Sequence, residues 1–150
     1  MNKPFGGPIL NIAFRMLVPF TMVYAVYILC LGEFSPGGGF QAGALLSVGV
    51  LLARLILGFD TKFNVLGKTS VVLAGVGTFI YALTGWLTLL GGADFFLNYN
   101  YMPIRMEAQN EMHATGIFLI EIGVAICVMM TIINLLDAIV KRGEEHGRTE

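Results

Sequence analysis

The sequence predicts an all-α fold: an integral membrane bundle of four transmembrane helices with both termini cytoplasmic. Three observations lead there. The 150 residues are 56% hydrophobic and only 13% charged, with a mean hydropathy of +0.77. Soluble domains carry about 25% charge, and a chain this small leaves too much surface exposed to hide so many apolar side chains from water. Second, charged residues bracket four apolar stretches, each close to the roughly 20 residues that cross a bilayer as a helix. Third, Lys and Arg gather on alternate connections, the pattern that sets membrane orientation. A soluble enzyme, a nucleic-acid module and a disordered tail are excluded. The net charge of −1 gives no attraction to polyanions.

The first span runs over about residues 9–31, with Arg15 near its start. Its apolar run is too long for a signal peptide and has no small-x-small cleavage site, so it reads as a retained helix. The second span covers about residues 40–57, with Arg54 near its end. The third, 69–90, is the cleanest, since no charge lies between Lys68 and Asp94. The fourth, about 114–136, carries one acid, Glu121. The whole chain, 1–150, reads as one membrane domain. The connection from Gly91 to Met112 holds Phe95, Phe96, Tyr99 and Tyr101. Such rings favour the headgroup region and suggest an interfacial anchor or a short surface helix, with an ordinary loop as the alternative. Lys141 to Glu150 is polar and expected to fray.

Orientation follows from the basic residues. Lys3, then Arg54, Lys62 and Lys68, then Lys141, Arg142 and Arg148 fall on one side of a four-span topology, against Arg105 alone on the other. That side is the cytoplasm. Cys30 and Cys127 sit far apart in apolar runs, with neither a CxxC nor a histidine pair nearby. They read as small buried residues, and no metal site or cofactor is expected.

The most unusual stretch is Ser35-Pro36-Gly37-Gly38-Gly39-Phe40-Gln41-Ala42-Gly43. Ser35 can cap a helix and Pro36 can occupy its first position. Three glycines then invite a special backbone path, either a close approach by another backbone, a cavity lining, or only a flexible turn. Gly39, Gly43 and Ser47 recur every four residues and form a narrow ridge suited to helix packing. Ala74, Thr78 and Ala82 form another ridge, as do Gly77 and Gly85.

Glu121 is the sharpest single residue. A carboxylate at membrane depth costs several kcal/mol unless it is paired, hydrated or protonated. It belongs either to an ion path or to a structural pair. Arg15 lies toward the opposite end of the membrane and is expected to snorkel to the headgroups. His113 and Glu111, at the outer start of span four, can accept protons or cations, or be simply solvated. Asp137 and Lys141 are four apart and can pair along the helix. Every lysine lies outside the spans, so no chain of Lys and Glu crosses the membrane as a proton channel requires. No nucleotide, metalloprotease or nucleophile motif is present. The chain alone is not expected to be an enzyme or a complete transporter.

With these residues in view, the chain resembles the MnhB/MrpB family of membrane subunits of multisubunit Na+/H+ antiporters. The resemblance is carried by Arg15 to Pro19, by Gly32 with Ser35 to Gly43, and by Leu119 to Val124. It departs at Ala42, where the family often has another glycine, and at Glu33, which adds a carboxylate at the outer mouth. The resemblance implies a non-catalytic membrane subunit that packs among other membrane subunits, in contact with lipid, in a prokaryotic plasma membrane. The complex exchanges Na+ for H+. Pro36, Gly37, Gly38, Gly39 and Phe40 would be the family motif and Glu121 its intramembrane acid; apart from the resemblance, Glu121, His113 and Glu33 are the candidates for an ion path. The same module is found in redox-driven hydrogenase-like complexes, which is the first alternative. A homo-oligomeric channel is the second.

Overall fold

The computed structural model describes residues 7–32, 37–57, 67–103 and 109–146. Four long helices dominate: α1 (Pro8–Cys30), α2 (Gly39–Leu57), α3 (Lys68–Leu90) and α4 (Gln109–His146). Each is long and apolar enough to span a membrane. A short 3-10 turn, Tyr99–Tyr101, lies between α3 and α4.

Local chemistry explains the boundaries. Pro8 opens α1, where its missing N–H would have lacked a helical partner in any case. Pro19 lies inside the same helix, a position better tolerated in membrane helices than in soluble ones. At the end of α3, Gly92 takes φ +95° and the Ala93 N–H returns to the Thr88 carbonyl at 3.2 Å. This left-handed glycine closes the helix by satisfying its last carbonyls.

α4 departs most from expectation. It begins before residue 114 and runs past Leu136 to His146, so Lys141 does not start a frayed tail. At 1.5 Å per residue its 38 residues span about 57 Å, well beyond a hydrocarbon core of about 30 Å. Polar residues end the apolar window, but they are good helix formers and do not end the helix.

The helices stand in a row, α1–α2–α4–α3. α4 packs against both α2 and α3, and α1 packs on α2 with a slight touch on α4. Among the described residues α1 does not reach α3, nor α2 reach α3. Burial follows this order: 6% of the most apolar stretch of α1 is buried, against 44% for α2.

The two seams of α4 are made by glycine. A Cβ on Gly43 would strike the backbone of Ala125, and one on Gly39 the carbonyl of Glu121. Gly39, Gly43 and Ser47 are all buried, so the ridge faces α4. On the other side, Gly77 of α3 meets the backbone of Gly123 and Cys127. The companion ridge at Ala74, Thr78 and Ala82 is not the contact surface. Thr78 is exposed; its hydroxyl donates to the Ala74 carbonyl at 3.1 Å and lies 3.4 Å from the Cys127 sulfur. Removing the side chain at a crossing lets backbones approach and increases dispersion contact, the main attraction between helices in lipid.

Candidate functional site

Glu121 sits where α4 passes the α1–α2 connection. Gly32, just after α1, and Gly38, just before α2, both lie against its carboxylate. A Cβ on Gly32 would overlap the carboxyl group, and one on Gly38 would stand 3.3 Å from Oε1. Gly38 also has φ +147°, which side chains disfavour. The glycine-rich run and the intramembrane acid, 82 positions apart in sequence between Gly39 and Glu121, therefore form one place. Beside it lies a groove of about 260 Å³, lined by Cys30, Ala114, Thr115, Ile117, Phe118 and Glu121. It sets a carboxylate beside an open, partly polar cleft between the C-terminal end of α1 and the N-terminal part of α4.

The other candidates divide. Phe40 is exposed on α2, and Gly37 is half-buried before it. Pro36 and Glu33 lie outside the described residues. Arg15 is exposed near the start of α1, and its Nε donates to Asn11 Oδ1 at 3.1 Å. His113 is engaged elsewhere than at Glu121: its Nε2 lies 2.6 Å from Asn100 Oδ1, and its ring meets Tyr99 edge-on at 5.9 Å. Eight residues of helix separate His113 from Glu121, about 12 Å of rise.

The segment His113 touches is a small cap over α3 and α4. The Phe96 ring occupies the space a side chain would need at Gly85, and the Tyr99 ring does the same at Gly116. Thr88, fully buried, donates to the Gly85 carbonyl at 2.8 Å and accepts the Leu97 N–H at 3.2 Å. That bond helps hold Leu97 at φ 67°, a costly conformation for leucine. Phe95, Phe96 and Tyr101 are exposed. Burial pushes the Tyr99 phenol above its ordinary value of 10.0, and Tyr81 adds to the effect in the same direction.

One pair escapes sequence reasoning. Asp137 does not bond along its own helix to Lys141. Arg54 Nη1 of α2 donates to Asp137 Oδ1 at 2.7 Å, and the two side chains are 6% and 11% exposed. The i,i+4 spacing is visible in the sequence, whereas a partner on another helix carries no local signal. Arg54 stands near the end of an apolar run, and depth there is the available clue.

Four membrane-length helices in a row, with a carboxylate set into a glycine-lined seam, define an α-helical multi-pass membrane protein. The chain belongs to the family described as "Domain related to MnhB subunit of Na+/H+ antiporter", whose profile matches residues 9–134. It is similar to the Na(+)/H(+) antiporter's B-type subunit from Bacillus subtilis, 25% identical over 130 residues that cover 83% of this chain and 91% of the relative. The protein of the same name from Alkalihalophilus pseudofirmus is 27% identical, covering 87% and 95%. A putative antiporter subunit mnhB2 of Staphylococcus haemolyticus is 28% identical, covering 87% and 92%.

Proposed function

We propose that this protein is a non-catalytic subunit of a multisubunit Na+/H+ antiporter, seated in a bacterial plasma membrane among other membrane subunits, and that Glu121 borders the route of the exchanged cation. The observation that carries this reading is the placement of the Glu121 carboxylate against Gly32 and Gly38 beside an open groove. A carboxylate in such a place can exchange a proton for a small cation, because both neutralise a charge that is costly at membrane depth. The glycines let backbone groups come close enough to share in holding the ion. The basic residues orient both termini and the extension of α4 toward the cytoplasm, which puts Glu121 in the outer half of the membrane.

In this reading His113 acts on the loop through Tyr99 and Asn100, while Glu33 adds negative charge at the outer mouth. Lipid covers whatever faces the neighbouring subunits leave open. The names of the relatives favour the antiporter over a redox-driven complex or a homo-oligomeric channel.

The test is Na+-dependent proton exchange in vesicles carrying the whole complex, wild type against Glu121→Gln, with subunit content checked after mild detergent extraction. Exchange is expected to fall about tenfold or more in a complex of normal composition, the scale of losing an interaction worth about 1.4 kcal/mol or more. Full exchange in Glu121→Gln sinks the ion-path role and leaves a packing subunit.

A further inference from the structure

α2 and α4 run parallel, and their contacts keep the same sequence offset to within one residue: Gly39 with Glu121, Gly43 with Ala125, Arg54 with Asp137. The first two contacts come from a ridge that repeats every four residues. Such a ridge specifies which face meets α4 but specifies height poorly. If α2 slid by one turn, about 5.4 Å, Gly43 would take the place of Gly39 and Ser47 that of Gly43, each a small residue replacing another. The backbones could still approach. Gly38, directly before α2, would then no longer stand at the Glu121 carboxylate.

The ion pair has no such periodicity. A bond of 2.7 Å does not survive a slide of one turn, and Asp137, whose side chain is 11% exposed, would lose the guanidinium that faces it. Leu51, Leu55, Leu136 and Val140 line the groove of about 330 Å³ around the pair. These aliphatic neighbours supply no substitute charge. Buried polar pairs that select one register among several are the best-attested use of such groups.

We infer that Arg54 and Asp137 are positioning residues: their ion pair sets the height of α2 on α4 and thereby holds Gly38 at Glu121, about 24 Å away along α4. The inference rests on the ion-path reading for its transport consequence. Its structural content, that the pair selects a register, stands apart from that reading.

The test uses the whole complex in vesicles. In Asp137→Asn the half-saturating Na+ concentration rises about three- to tenfold, the size of coupling between residues that share one packed interface. The charge swap Arg54→Asp with Asp137→Arg returns it to within about threefold of wild type by the same coupling. If the single variant does not assemble, the apolar pair Arg54→Met with Asp137→Leu carries the test, since replacing both buried charges together is commonly tolerated. It is expected to assemble and to keep the raised half-saturating concentration. Wild-type Na+ dependence in the apolar pair overturns the inference.

Glu121→Gln is run beside these variants. If it transports normally, the ion-path reading fails and the register is judged without transport. Cys30 lines the groove with Glu121, so its maleimide labelling rate is followed in a Cys127→Ser background. A changed rate in the apolar pair supports the positioning role, and an unchanged rate overturns it.

Discussion

The two ends of the α2–α4 seam hold one carboxylate each and treat it differently. At the end nearer the C-terminus of α4, Asp137 meets the Arg54 guanidinium beside a groove lined by aliphatic side chains. At the other end Glu121 lies against two glycines beside a groove that is also lined by Cys30 and Thr115. The Asp137 carboxylate faces a guanidinium at 2.7 Å. A backbone cradle next to an open cleft leaves room for something small to arrive and depart. The comparison teaches that two acids on one seam can meet different surroundings, a guanidinium in one case and glycine backbone in the other.

Removing the charge at each end should therefore have opposite signatures. Asp137→Ala leaves Arg54 buried without its carboxylate and is expected to cost about 3–5 kcal/mol, read as lost complex or a large fall in thermal midpoint. Glu121→Gln should leave assembly nearly intact and act on exchange. Equal loss of assembly in both would dissolve the contrast. Gly43→Leu comes next. Its side chain would meet the Ala125 backbone and Val128, and overpacking of this kind costs about 1–3 kcal/mol. The expected result is reduced yield of intact complex, whereas a similar change at exposed Gly75, where a Cβ meets nothing, should be neutral.

The smallest effect concerns the outer cap. The half-buried Tyr99 phenol has a raised pKa, so the folded state keeps its proton above pH 10.0 while the unfolded chain releases it. The unfolded state then binds fewer protons, and stability falls as pH rises. The contribution is complete below pH 10.0 and is lost as pH climbs through the raised value. Tyrosinate absorbance followed with cap dissociation should show this step, and Tyr99→Phe should lack it.

Much of this is legible in the sequence because membrane helices advertise themselves through hydropathy and charge. The four spans are, and so is the ridge at Gly39, Gly43 and Ser47, since spacing by four marks a face. What spacing cannot name is the helix that face meets. The row α1–α2–α4–α3 depends on contacts between distant segments. The ridge at Ala74, Thr78 and Ala82 looks as suitable as Gly77, yet the closer approach at Gly77 wins. Spacing assigns Asp137 to Lys141 because only local pairing can be read that way, and Arg54 is 83 residues away. Glu121 stands out alone; its meeting with Gly32 and Gly38 requires the fold.

The row itself has a cellular consequence. A chain whose outermost helix buries so little on its own gains stability from the proteins that stand beside it, and that gain follows their concentration. Copies made in excess of those neighbours would be the first to be unfolded and degraded. The amount of this protein in the cell should therefore track the supply of its companions more closely than the rate of its own synthesis.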